Sequence, residues 1–165
     1  MIVVADSSPL IALAEVGSLH LLATVYPKIH LPTEVYNEVV IAGAGLPASS
    51  EVAHAPWIEV TPVRDGKALL AEMSKTGLGP GEVGVVLLAK ELRASVVLID
   101  ERKARRYAQS LGLITVGCIG ILEMLHRKRL IADLRAAYQQ LLAVDFRIDL
   151  GTLNASLLKF GLKPL

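Results

Sequence analysis

Ser95-Val96-Val97-Leu98-Ile99-Asp100-Glu101-Arg102 decides how this chain is built. Four consecutive apolar residues without alternation leave no face for water, so they predict a strand buried on both sides, as in a parallel sheet between helical layers. The run ends at a carboxylate, and residues 102–111 follow with helical spacing. Ile2-Val3-Val4-Ala5-Asp6 has the same form. After it Ser8, a favoured N-cap, and Pro9, a favoured first helical residue, open a helix that Gly17 stops. Two parallel strands that both end in aspartate place Asp6 and Asp100 on one edge of the sheet. Ligands of open parallel sheets bind beyond that edge.

Outward from these two strands, residues 28–31 and 113–116 read as further strands and residues 57–60 as a brief one. Helices are expected over 18–25, from Pro32-Thr33 onward, and over 67–75, 82–92 and 119–127, with a short one over 50–55. Residues 42–50, with two glycines and a proline, read as a loop, and Gly77-Leu78-Gly79-Pro80-Gly81 as a break between helices. Strands alternating with amphipathic helices predict an α/β fold, a sandwich with a central parallel sheet and helices on both faces. The expected organisation is one domain over residues 1–165, with a core at about 2–128 and closing helices at about 131–160.

Composition narrows the function. The net charge is +1, so no global field draws a polyanion. The halves differ, however. Residues 1–60 carry one basic side chain against six acids, and residues 61–165 carry sixteen against ten. Lone Cys118 excludes an internal disulfide framework and a multi-cysteine zinc site, and it suits a reducing, cytoplasmic setting. The first six residues lack the basic start and long apolar core of a signal peptide, and no apolar stretch reaches membrane length. Mean hydropathy of +0.51 implies a rich core together with some apolar surface that a partner covers. Leucines at 10, 13, 19, 21 and 22 exceed what two short helices bury on one sheet, which suggests dimerisation.

The chemistry rests on carboxylates. Glu38 lies about 60° from Val35 on a helical wheel, on the rim of the apolar stripe of Val35, Tyr36, Val39 and Val40, where it is half-desolvated. Glu34, further from the stripe, reads as a solvated charge. Glu82 occupies the first turn of a helix, where the dipole alone stabilises it by roughly 0.3–1 kcal/mol. If Asp6, Glu38, Glu82 and Asp100 share one crevice, their repulsion raises pKa values and costs stability unless a cation intervenes. Oxygen ligation without His or Cys is the chemistry of Mg²⁺ or Mn²⁺, and such sites commonly activate water for displacement at phosphorus. The four histidines show no paired metal spacing.

These motifs together resemble the PIN domain: Asp6-Ser7-Ser8-Pro9-Leu10 before a helix, Pro32-x-x-Val35-x-x-Glu38, Gly81-Glu82 opening a helix, and Leu98-Ile99-Asp100-Glu101-Arg102-x-x-Arg105. The likeness runs from about residue 2 to residue 128 and is greatest to short prokaryotic PIN-like proteins related to VapC-type toxins. It implies a three-layer α/β/α fold and a metal-dependent endoribonuclease, commonly the toxin of a toxin–antitoxin pair and commonly a homodimer. It further implies that Asp6, Glu38, Glu82 and Asp100 bind Mg²⁺ or Mn²⁺, and that a small hydroxyl residue, here Ser8, orients the first acid. Position 82 carries Glu where the family frequently has Asp. A catalytically silent module that binds RNA or a protein partner remains a second reading.

Arg102, Lys103, Arg105 and Arg106 crowd the start of a helix, where cations oppose the dipole, and Arg102 and Arg105 are the candidates for holding RNA phosphates. Arg127-Lys128-Arg129 sits at a helix C-terminus, where dipole complementarity suffices. Gly79-Pro80-Gly81-Glu82-Val83-Gly84 matches the letters of a dinucleotide-binding loop. A helix rather than a strand is read before it, and Glu82 would repel a pyrophosphate, so a nucleotide cofactor is not expected. Trp57 and the four tyrosines are too dispersed to form a visible base-stacking platform.

Overall fold

In the computed structural model, which describes residues 1–165, the apolar runs become five parallel strands in the order β3-β2-β1-β4-β5. The chain runs β1 (Val3–Ala5), α1 (Ser7–Glu15), a 3₁₀ turn, α2 (Leu22–Val25), β2 (Ile29–Leu31) and α3 (Thr33–Tyr36). Helix α3 continues without a break into a π-helical segment, Asn37–Ala42. Next come α4 (Pro47–His54), β3 (Ile58–Val60), α5 (Gly66–Thr76), α6 (Pro80–Glu91), β4 (Val96–Leu98), α7 (Arg102–Ser110) and β5 (Thr115–Val116). Helices α8 (Cys118–Arg127), α9 (Leu134–Ala143) and α10 (Leu150–Lys159) close the chain. The architecture is a three-layer α/β/α sandwich.

Burial explains the two central strands. Val3, Val4, Ala5 and Val96 to Ile99 are all buried, and each fully buried aliphatic side chain contributes roughly 1.5–3 kcal/mol. Val3, Val4 and Ala5 register against Val96, Val97 and Leu98, and the Asp6 N–H donates to the Leu98 carbonyl at 2.8 Å. The sheet grows from β1 through β2 and β3 to one side, then from β4 through β5 to the other. Its switch point therefore lies between β1 and β4, directly below Asp6 and Asp100, where an open parallel sheet leaves a crevice.

Two local expectations are corrected. Helix α1 begins at Ser7 and its N-cap is Asp6, whose Oδ1 accepts from the Ser7 N–H at 2.8 Å; Ser8 lies inside the first turn. The aspartate caps because β1 ends directly before it, which brings its Oδ1 within reach of the Ser7 N–H, whereas Ser8 is already inside the turn. The stretch read as a loop is helical from Pro47, since proline is well suited to a first helical turn. Gly43 follows the π-helical segment at a position with no room for a side chain, since a Cβ there would run into the Val39 carbonyl.

Helices α9 and α10 dock on α8 through polar as well as apolar contacts. The Tyr138 hydroxyl lies 2.7 Å from Ser156 Oγ, which donates to Glu123 at 2.8 Å, and Lys159 completes the chain at 2.7 Å from Glu123. Their buried polar groups are thereby satisfied, as a folded core demands. No single helix is long and apolar enough to cross a membrane.

Candidate functional site

Asp6 is the most buried of the acids, 3% exposed, because the strand before it is packed on both faces. Burial pushes its carboxyl up to about 7; the Ser7 N–H opposes the rise, and the charges of Glu38, Glu82 and Asp100 add to it. Those three charges come from three different parts of the chain, which the fold gathers around Asp6.

Glu38 projects from the π-helical segment, and its Oε1 accepts from Ser7 Oγ at 3.0 Å. Its other oxygen lies where α6 comes closest. A Cβ added at Gly81 would stand 2.9 Å from Glu38 Oε2 and 3.9 Å from Asp6 Oδ1, so the glycine makes room for both acids. Glu82, the next residue, turns back so that Oε2 accepts from the Gly79 N–H at 2.8 Å, one half of a capping box.

Asp100 follows β4 and is tied to the start of α8: its Oδ1 accepts from the Cys118 N–H at 2.8 Å. Its Oδ2 is buried and has no hydrogen-bond partner. Burial raises the Asp100 carboxyl, against the lowering effects of the Cys118 hydrogen bond and the Arg105 charge. Burial also pushes the Cys118 thiol up, so this cysteine is neutral and inert.

Asp6, Ser8, Glu38, Glu82 and Glu101 line one cleft of about 570 Å³. Asp100 lines the adjoining groove of about 1230 Å³, together with Arg102 and Arg105. The two spaces meet at Ser8 and Glu101, which line both. The sequence-derived set is thus gathered around a single ridge, three acids on one side and Asp100 on the other.

Two assignments change. Ser7, not Ser8, touches the carboxylates, its N–H on Asp6 and its hydroxyl on Glu38, because the helix starts two residues earlier than the proline suggests. Glu34 is not a solvated charge: half-buried, it lines the same cleft as Glu38, but its Oε2 is buried without a partner, 3.1 Å from where a Cβ on Gly84 would stand, whereas Glu38 is exposed. Glu101 was also not among the expected site residues. It caps α7 through a 2.6 Å bond from the Ala104 N–H while facing the acidic cleft. Its position directly after Asp100 was the available signal.

The chemistry of this donor set fits a hard divalent ion. All the donors are oxygens, Asp6 is held close to neutrality by burial and like charge, and Asp100 Oδ2 is orphaned in the interior. Each acid also has one oxygen engaged by the protein, and no three carboxylates surround a common point closely enough to ligate one ion as they stand.

Comparison with known proteins gives the same architecture. A family model described as PIN domain matches residues 2–161. The crystal structure of PAE2754 from Pyrobaculum aerophilum superposes with a TM-score of 0.56 at 14% identity, covering 77% of this chain and 99% of that one. At that identity the likeness concerns the fold. No curated protein matches the sequence.

Proposed function

The chain belongs to the PIN domain family, a nuclease-type fold, and from that membership we propose that it is a metal-dependent endoribonuclease that hydrolyses RNA phosphodiesters. The observation that carries the proposal is the setting of Asp6: a buried carboxyl at the switch point, raised by burial and by three further acids from separate elements. Asp6, Glu38, Glu82 and Asp100 are the residues that would hold Mg²⁺ or Mn²⁺. When bound, such an ion polarises a phosphoryl oxygen and activates water.

The protein's own groups do the rest. Ser7 fixes Asp6 and Glu38 relative to one another, and the Gly79 N–H fixes Glu82. Arg102 and Arg105 stand in the groove beside Asp100, positioned to hold phosphates of the chain being cut. Water adds to phosphorus, the bond from phosphorus to the 3′ oxygen breaks, and that oxygen takes a proton. The products carry 5′-phosphate and 3′-hydroxyl ends.

We further assign the protein as a toxin acting as a homodimer under the control of an antitoxin protein, on the likeness of its motifs to VapC-type proteins. A second reading is favoured by one observation: the acids do not surround a common point. On that reading the domain binds RNA or a protein without turnover. One assay separates the two. Labelled RNA incubated with Mn²⁺ is cleaved by the native chain, and cleavage stops with chelator and with Asp6→Asn. Binding without cleavage at any Mn²⁺ concentration supports the silent module, and cleavage indifferent to both chelator and Asp6→Asn contradicts the metal mechanism.

A further inference from the structure

The groove beside Asp100 has a second wall that the acids and α7 do not explain. It is the segment linking α9 to α10, residues 144–149. The chain leaves α9 through Asp145 in the left-handed region (φ 54°), which aspartate tolerates better than most residues. Phe146 and Ile148 pack on the core with part of their side chains and line the groove with the rest, and Asp149 caps α10 by accepting from the Thr152 N–H at 2.8 Å. Between these anchors Arg147 is left exposed and lines the groove.

Arg147 thus faces the same space as Arg102, Arg105 and Arg106 of α7. None of these four guanidinium groups makes a salt bridge or a hydrogen bond within the protein. Five acids line the same groove, Glu15, Asp100, Glu101, Asp145 and Asp149; Glu101 and Asp149 accept from the first turns of α7 and α10, and Asp100 feels the charge of Arg105, but none of the five is within ion-pair distance of the four arginines. The α7 arginines also sit at the positive end of their helix, an arrangement with a small cost that a bound anion removes.

The groove has room for an extended ligand. The groove's volume of about 1230 Å³ exceeds the roughly 300–1,000 Å³ that holds a small molecule, and it opens into the acidic cleft over Ser8 and Glu101. A polyanion with one phosphate at the acids has its neighbouring phosphates among the arginines. Phe146 supplies what the dispersed Trp and Tyr residues do not, an aromatic ring beside a row of cations.

We propose that this groove seats the single-stranded RNA flanking the scissile phosphate, with Arg147 holding a phosphate from the C-terminal wall and Phe146 stacking on a base. The proposal rests on the ribonuclease reading above. Its test is nevertheless a binding measurement. Fluorescence anisotropy of a labelled single-stranded RNA of about 12 nucleotides is followed with the full-length chain in EDTA, so that no cleavage occurs.

Arg147→Ala is expected to weaken binding about fivefold or more and to reduce the slope of log affinity against log salt by about 0.7, the value of one phosphate on a single strand. Phe146→Leu is expected to weaken binding about tenfold with the slope unchanged, as loss of one stacked base requires. Arg147 is exposed, so its variant keeps the fold, and circular dichroism verifies Phe146→Leu. If Arg102→Ala weakens binding while Arg147→Ala alters neither affinity nor slope, the second wall is not part of the RNA site and the nuclease reading stands. If the native chain binds no RNA at all, both readings fail. A polyglutamate peptide that displaces the RNA at equal charge concentration would assign the groove to an acidic protein and overturn the proposal.

Discussion

Replacing Asp6 with Asn is expected to stabilise the metal-free protein, and to do so only above mildly acidic pH. Asp6 is raised from 3.8 to about 7, with burial as the main cause. That difference corresponds to about 4 kcal/mol between its two protonation states. The folded chain holds this proton more tightly than the unfolded chain does. The resulting stability is complete below about pH 3.8 and is lost as pH rises through about 7. Asn carries no charge to desolvate and retains an oxygen for the Ser7 N–H. Between about pH 5 and about pH 8.5 the advantage of Asp6→Asn therefore widens by about 3 kcal/mol. This is a large fraction of the roughly 5–15 kcal/mol that stabilises a typical domain. Urea unfolding followed by circular dichroism in EDTA measures it. Adding Mn²⁺ at about a hundred times its dissociation constant returns about 2.7 kcal/mol to the native chain at the higher pH and little to the variant. A constant difference between the two proteins across that pH range would refute the reasoning, since it would mean that Asp6 is ionised at little cost.

Three further outcomes follow from contacts at the site. Gly81→Ala places a Cβ 2.9 Å from Glu38 Oε2, so RNA cleavage is expected to fall by about 10-fold to 100-fold while thermal stability holds or rises, alanine being the better helix former by about 1 kcal/mol; an unchanged rate would show that Glu38 moves freely without consequence. Ser7→Ala removes the 3.0 Å bond to Glu38 and is expected to reduce cleavage well below the rate of Ser8→Ala, and side-by-side rates that fall equally would return the role to Ser8. Leu98→Ala, fully buried in β4, is expected to cost about 2–5 kcal/mol in urea unfolding, and a smaller loss would mean that the sheet below the site is looser than its burial indicates.

The sheet was legible because burial on both faces leaves a plain trace: runs such as Val96 to Ile99 and Val3 to Ala5 have no polar alternation and terminate at acids. Even the brief edge strand at Ile58–Val60 lies within its expected range. Asp6 and Asp100 follow from strand direction alone. What was not legible depends on contacts made through space. The Ser7 hydroxyl is chosen over that of Ser8 by where the helix starts, and whether Asp6 or Ser8 caps the helix is decided by where β1 ends, which propensity rules that rank Ser and Asp nearly equal do not resolve. Phe146 and Arg147 reach the groove only because α9 and α10 fold back over α8, an arrangement with no signature in local spacing.

The exchange of Glu34 and Glu38 shows how a helical wheel fails for a physical reason. At 100° per residue Glu38 belongs on the rim of the apolar stripe and Glu34 in water, and that projection assumes i→i+4 bonding throughout. From Asn37 the backbone is π-helical, and the wider i→i+5 turn rotates each later residue away from its projected azimuth. Glu38 swings out to the cleft, within reach of Ser7, while Glu34, still on the α-helical turn, is pressed toward α6. What lets α6 come so close is a pair of its own glycines. Gly81 and Gly84 are three residues apart and so share one face of α6, and each leaves space for one carboxylate of the facing helix, Glu38 and Glu34 respectively. These are the glycines whose letters imitate a dinucleotide loop. Their spacing serves helix packing around acids instead, and the same absence of a Cβ that would admit a pyrophosphate in one fold admits two negatively charged side chains in this one.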